Sequence, residues 1–140
     1  MVRPLTIALL LLGCAVASSA ADLSEEDSKA VRAVITEQLE AFARDDAARA
    51  FSLATNGIRE RFGSPERFID MVRTGYPVVY RPKSVQFEQP AVIDGEVIQP
   101  VRMTDADGEA WVAFYPMQRQ ADGRWRINGC QLEKVRGQRA

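Results

Sequence analysis

Histidine is absent from this sequence of 140 residues, and cysteine occurs only twice, at Cys14 and Cys130. Without an imidazole, the chain cannot build a Ser-His-Asp triad, a Cys-His dyad, a His-ligated zinc site or a haem held by a proximal histidine. Two cysteines are also too few for a four-cysteine zinc or iron–sulfur site. We therefore expect no bound metal and no cofactor.

The sequence also lacks an excess of charge of either sign. Lysine and arginine together number 18, aspartate and glutamate number 19, and the formal net charge is −1. Proteins that bind nucleic acid carry a strongly basic surface, because they must neutralise phosphates. The balance of charges therefore indicates no nucleic-acid partner.

Long hydrophobic runs are missing too, except near the start of the chain. A short basic segment ends at Arg3, an apolar run extends over residues 5–12, and small residues follow through Ala21. This layout is typical of a secretory signal peptide, and the run is shorter than the roughly 20 residues that span a membrane. We expect cleavage near Ala20 or Ala21, export to the periplasm and no transmembrane span in the mature protein.

An alternative start of the mature chain stays open. The segment Leu11-Leu12-Gly13-Cys14 resembles the box of bacterial lipoproteins, in which the cysteine is lipidated and anchors the protein. With residues 1–21 removed as a signal peptide, residues 22–140 remain as one domain, large enough to build a core unaided. Cys130 then has no disulfide partner, and the role of a small buried hydrophobic residue is favoured over that of a reactive thiol.

The first half of this domain carries helical patterns. Ser24 precedes three acidic residues, and a stripe of apolar residues predicts a helix ending near Arg44, through Val31, Ile35, Leu39 and Phe42. Ser64 followed by Pro65 indicates the start of another helix, which Gly75 ends. Between these helices we expect a short helix over 47–53, a turn at 55–57 and a helical turn over 58–62.

After Pro77 the sequence becomes rich in β-branched and aromatic residues, and it contains Asp-Gly pairs at 94–95, 107–108 and 122–123. Asp-Gly between apolar runs is a strong hairpin signal, because tight turns need positive φ. The pairs predict an antiparallel meander of four strands, over roughly 84–93, 96–105, 109–120 and 124–134. In the last strand the apolar side chains change parity at Gly129, which predicts a bulge and a bend.

The third predicted strand is apolar on both of its faces. One face would carry Trp111, Ala113 and Tyr115, and the other Val112, Phe114 and Pro116. A strand of this kind is covered on both faces. We expect helices to cover one face. The other face would be covered either by the sheet curling over itself or by a partner subunit, and a partner subunit would make the protein a homodimer that pairs through the sheet.

These elements predict an α+β fold, with N-terminal helices packed on a strongly curved four-stranded antiparallel meander. Their order resembles the cone-shaped fold of the nuclear-transport-factor-2-like superfamily. A closer resemblance is carried by Gln38-Leu39, Asp46-Ala47-Ala48, Gly57-Ile58, Tyr76-Pro77-Val78-Val79-Tyr80 and Trp125-Arg126-Ile127-Asn128-Gly129-Cys130. These residues are similar to an uncharacterised bacterial family called domain of unknown function 4864. The resemblance implies this fold and export, and it implies no function.

Cone-shaped folds leave a pocket between the concave face of the sheet and the helices, and such a pocket is the default ligand site. Enzymes of the superfamily place carboxylates, tyrosines or histidines there. Without histidine, the resemblance leaves a Tyr–Asp site like that of ketosteroid isomerase or an Asp-Arg-Asp relay like that of epoxide hydrolase. Most aspartates are explained as helix caps and turn residues, and Asp70 as a surface pair with Arg73, so we name no catalytic residue.

The pocket candidates are Tyr80, Gln99, Arg102, Trp111 and Tyr115. The tyrosines and the tryptophan supply amphipathic walls, and an inward arginine would favour an anionic ligand. We expect an exported, non-catalytic domain that binds a small apolar or amphipathic ligand, or a partner protein, in its cone-shaped pocket. The alternative is an isomerase-like or cyclase-like enzyme that uses tyrosine and aspartate.

Overall fold

In the computed structural model, which describes residues 23–136, five helices precede six strands, as expected for an α+β domain. The expected signal peptide, its cleavage site and Cys14 lie outside these residues. Helix α1 (Glu25–Ala43) begins at Ser24, whose hydroxyl accepts a hydrogen bond of 3.1 Å from the Asp27 backbone N–H. The predicted apolar stripe is confirmed, since its members are all buried: Val31, Ile35, Leu39 and Phe42.

Four shorter helices follow: α2 (Ala47–Ser52), α3 (Asn56–Phe62), α4 (Pro65–Gly75) and α5 (Pro77–Tyr80). The predicted start of α4 is confirmed, because the Ser64 hydroxyl accepts a hydrogen bond of 3.2 Å from the Arg67 backbone N–H. The sequence does not predict α5. Pro77 stands at the first position of this single turn, where its fixed φ suits a helix and its missing N–H costs nothing.

The strands are β1 (Ser84–Phe87), β2 (Ala91–Ile93), β3 (Glu96–Thr104), β4 (Ala110–Arg119), β5 (Trp125–Ile127) and β6 (Gln131–Lys134). All pairs are antiparallel: β1 and β2 both pair with β3, β3 pairs with β4, and β5 and β6 both pair with β4. Asp94 and Gly95 both have positive φ, at 51° and 77°, so the first Asp-Gly turn is confirmed by its backbone.

Two of the predicted strands are each divided in two. The strand expected over 84–93 breaks at residues 88–90, because the Gln99 side-chain amide donates to the Glu88 carbonyl at 2.7 Å and Pro90 has no N–H for the ladder. The strand expected over 124–134 breaks around Gly129, whose φ is 138°. The predicted bulge is confirmed, since Ile127 pairs with Met117 but Gln131 pairs with Phe114, a register displaced by one residue.

The sheet is strongly curled, and the helices pack on its concave face. That inner face carries fully buried side chains from the two central strands: Val101 and Met103 from β3, and Ala113, Tyr115 and Met117 from β4. The outer side of β4 is partly exposed at Val112, Phe114 and Pro116. None of the helices within residues 23–136 has the length and apolar character needed to cross a membrane.

Candidate functional site

A cavity of about 400 Å³ lies between the helices and the concave face of the sheet. Its walls are mostly apolar and come from every helix except α2, together with β4 and β5: they include Phe42, Ile58, Phe62, Phe68, Met71, Val72, Val79 and Ile127. Small-molecule sites in proteins are concave, apolar and of this size. The pocket expected from the fold is therefore present among the described residues.

Tyr115 supplies the buried polar group of this cavity. The residue lies in the middle of β4, is 0% exposed, and its hydroxyl has no hydrogen-bond partner of normal geometry in residues 23–136; the Cys130 thiol is the polar group close enough to interact with it. Burial raises the pKa of Tyr115 well above its ordinary value, so the phenol stays neutral. A buried hydroxyl without a partner costs about 1–3 kcal/mol.

Cys130 lies beside Tyr115 at the bulge between β5 and β6, and it also lines the cavity. Burial raises the pKa of its thiol to about 12, so Cys130 is a neutral thiol and not a nucleophilic thiolate. A thiol is only a weak hydrogen-bond donor and acceptor. Cys130 therefore satisfies the Tyr115 hydroxyl poorly, and the two groups together form a neutral polar patch on the sheet side of the cavity.

Two further polar side chains of the cavity wall are already engaged. The Gln38 side-chain amide donates to the Ala50 carbonyl at 3.1 Å, and the Thr55 hydroxyl donates to the Asn128 side-chain oxygen at 2.8 Å. Gln38 thus ties α1 to α2, and Asn128 ties the bulge to the loop before α3. These bonds hold this part of the wall in place.

Among residues 23–136, Arg61 on α3 is the charged side chain of the lining, and no carboxylate lines the cavity. The residue is exposed, so it marks the edge where the cavity meets solvent. Sequence reasoning did not select Arg61, because a short helical turn over 58–62 does not reveal which of its faces borders a pocket. Its position between Ile58 and Phe62, which both line the cavity, is the signal that was available.

Tyr80 does not line the cavity; it belongs to a surface cluster that joins three elements. Its hydroxyl donates to Asp45, which lies after α1 with φ at 55°, and the Arg81 guanidinium stacks 4.2 Å from the centre of its ring. Arg73 on α4 contacts Asp45 at 3.3 Å, and it forms the predicted surface pair with Asp70 at 2.9 Å. This cluster joins the C-terminal ends of α1, α4 and α5.

The Asp45–Tyr80 contact does bring a carboxylate to a tyrosine hydroxyl, but its electrostatics oppose base catalysis. The hydrogen bond from Tyr80, with help from Arg73 and Arg81, holds the pKa of the Asp45 carboxyl below its ordinary value. A general base works best with a raised pKa, near the operating pH. Asp45 is also exposed, and both residues lie outside the cavity lining, so they do not form the Tyr–Asp site of an isomerase.

The other three candidates do not line the cavity either. Gln99 is fully buried, pairs across the sheet with Tyr115 and does not line the cavity. Its amide nitrogen donates to the Glu88 and Pro100 carbonyls, and its amide oxygen has no partner among the described residues. Arg102 lies on the outer face and pairs with Glu88. The indole N–H of Trp111 donates to Asp105 at 2.9 Å, which organises the β3–β4 turn. Of the five candidates, the structure brings only Tyr115 to the cavity.

No group of three potential metal ligands occurs within residues 23–136. The cavity can therefore offer a ligand apolar contact, a neutral hydroxyl and thiol, and one exposed guanidinium. Within the described residues, the lining supplies no carboxylate beside the Tyr115 hydroxyl.

A family model described as "Domain of unknown function (DUF4864)" matches residues 24–140. The chain belongs to the DUF4864 family. No curated protein matches the sequence. The DUF4864 fold seen here, with helices on a curled antiparallel sheet, is compatible with the nuclear-transport-factor-2-like cone. Family membership covers almost the whole domain and brings no activity with it, so the function has to be argued from the cavity.

Proposed function

We propose that this protein is an exported, non-catalytic binding module that holds a small apolar or amphipathic ligand in the cavity between its helices and its sheet. The observation that carries the proposal is the Tyr115 hydroxyl, which is fully buried, unpartnered among the described residues and part of the cavity wall. Once the side chains that cover the oxygen move aside, a ligand that donates to or accepts from this hydroxyl would recover the free energy that burial costs it. Export is supported by the sequence of residues 1–21.

The size of the cavity sets the size of the ligand. One water-sized group takes about 30 Å³ of liquid volume, so 400 Å³ accepts roughly a dozen non-hydrogen atoms. Decanol, with one hydroxyl on a ten-carbon chain, matches this volume and the mostly apolar lining. It is therefore a suitable probe for the proposed site.

The test is titration calorimetry of decanol against the purified protein. We expect saturable binding at one site, and about three- to tenfold weaker binding for Tyr115→Phe, which removes one hydrogen bond. Ile58→Trp fills the cavity and should abolish binding, whereas Ile93→Trp adds the same indole at a residue that is 57% exposed and outside the cavity, and should change nothing. Equal binding to all four proteins would refute the proposal.

We also propose that two copies of the chain pair through the outer face of the sheet. Apolar side chains occupy the centre of this face, each only partly buried: Ile98, Pro100, Val112, Phe114 and Pro116. Two sheets that pack face to face bury such side chains between them. This pairing would give β4 the second cover that its sequence predicts.

Charges at the corners of the outer face support a second copy as the occupant. Glu96 and Arg126 lie at one end, because Val97 pairs with Met117 and Gln118 pairs with Arg126. Arg102 and Glu133 lie at the other end, where both pair with Val112. Acidic and basic residues thus alternate around the four corners. A two-fold axis in the plane of the interface places each acid opposite a base of the partner.

Light scattering coupled to size exclusion tests the dimer. We expect twice the mass of one chain, and the mass of one chain for Phe114→Lys, which places a charge in the centre of the interface. Val85→Lys is the matched control, since Val85 is 40% exposed on β1 and faces the other side of the sheet. A wild-type protein that elutes as a monomer at tens of micromolar would contradict the proposal.

A further inference from the structure

The cavity has a different polarity at each of its two ends. On the sheet side, Tyr115 and Cys130 are both neutral over the physiological range, because burial raises the pKa of each group. At the solvent edge, the exposed Arg61 carries a permanent positive charge. Most of the remaining lining is apolar, with phenylalanine, isoleucine, methionine and valine side chains, and Gln38, Tyr76 and Asn128 add polar groups to it.

The charge of Arg61 is available to a ligand. It forms no ion pair within residues 23–136, whereas Arg73, Arg81 and Arg102 each have a carboxylate partner. In the part of the chain that the structure describes, the lining contains no aspartate or glutamate that would repel an anion bound beside it. An arginine guanidinium recognises a carboxylate through two parallel N–H donors. The mouth of the cavity therefore favours a carboxylate over a neutral or cationic group.

From these two ends we propose that the ligand is a carboxylated amphiphile of about ten carbons with a neutral hydrogen-bonding group at its far end. Its carboxylate lies on Arg61 at the mouth, its chain crosses the apolar wall, and its far hydroxyl or carbonyl meets Tyr115. This inference rests on the ligand-binding role proposed above and specifies the chemical class and the orientation of the ligand. Arg61 acts as the residue that selects the anionic head.

Three probes test the two ends of the proposed ligand separately. Decanoate carries only the carboxylate, decanol carries only the neutral group, and ω-hydroxydecanoate carries both. We expect ω-hydroxydecanoate to bind most tightly in titration calorimetry, because it uses both ends at once. The carboxylate on an exposed arginine should contribute about two- to fivefold in affinity at low salt, and less as the salt concentration rises.

Two variants test which residue of the cavity contacts each end of the ligand. Arg61→Gln should weaken decanoate and ω-hydroxydecanoate about two- to fivefold and leave decanol unchanged. Tyr115→Phe should weaken decanol and ω-hydroxydecanoate about three- to tenfold and leave decanoate unchanged. Arg67→Gln is the control for a general change in surface charge, since Arg67 is exposed on the neighbouring α4 and lies outside the cavity lining. It should leave all three affinities as they are.

The outcomes distinguish this inference from the function on which it rests. If decanol binds through Tyr115 but decanoate binds no better than a decyl ammonium probe, and Arg61→Gln has the effect of Arg67→Gln, the inference is overturned while the binding function stands. If none of the three probes binds, both fail together. Effects that follow the expected pattern in each variant, and that add in the double variant, establish the proposed orientation.

Discussion

The variant Tyr115→Phe tests the central feature of the cavity without any ligand. Removing a buried hydroxyl usually lowers the free energy of unfolding, because its hydrogen bond contributes about 0.5–1.5 kcal/mol and its partner is left unsatisfied. The Tyr115 hydroxyl has no such partner among the described residues, and only the weakly polar Cys130 thiol lies beside it. Here the variant removes a desolvation penalty, so we expect the free energy of unfolding to be unchanged or to rise by about 1 kcal/mol.

Thr55→Val is the matched control. Thr55 is 3% exposed, and its hydroxyl donates to the Asn128 side chain at 2.8 Å, so its loss leaves a partner unsatisfied. We expect this variant to lose about 1–3 kcal/mol in urea denaturation followed by tryptophan fluorescence. A loss of similar size for Tyr115→Phe would show that the protein itself satisfies the Tyr115 hydroxyl. That result would remove the reason for assigning the group to a ligand.

Two further predictions concern residues around the cavity, and a third concerns the start of the mature chain. The lowered pKa of Asp45 adds stability that is present above about pH 4 and is lost as the pH falls through that pKa, so Asp45→Asn should flatten the melting temperature between about pH 5 and 3. Gly129→Ala should cost about 1–3 kcal/mol at φ 138°, whereas Gly57→Ala, in helix α3 with nothing near its added Cβ, should gain about 0.5–1 kcal/mol. Mass spectrometry of the protein purified from its native host should find an N-terminus after Ala20 or Ala21; a diacylated Cys14 would contradict this cut.

Local patterns predicted much of the fold. The stripe from Val31 to Phe42, the Ser64-Pro65 start and the Asp-Gly turns all depend on residues close together in sequence, and the structure confirms them. The division of the first predicted strand was not foreseen, because it depends on a hydrogen bond from Gln99 to the Glu88 carbonyl, eleven residues away. A parity pattern within one strand carries no information about such a bond.

The candidate site was harder to predict, because its members meet only through the topology. Tyr80 is drawn to Asp45 across 35 residues, and this contact takes it away from the cavity. Gln99 shares the inner face of the sheet with Tyr115, but β3 holds it beside the gap between β1 and β2. Arg102 lies on the other side of the same strand. The alternation of residues along each strand therefore predicted which face of the sheet a side chain lies on. It did not predict which side chain of the inner face borders the cavity, because that depends on the curl of the sheet.

The most direct test of the binding function is a crystal structure of the protein with ω-bromodecanol, whose bromine can be located by its anomalous scattering. We expect one bromodecanol in the cavity, with its hydroxyl oxygen about 2.5–3.0 Å from the Tyr115 hydroxyl oxygen. The bromine would then lie toward Arg61 at the mouth. A cavity closed by Phe68 and its neighbours, or a probe bound only at the outer face of the sheet, would contradict it.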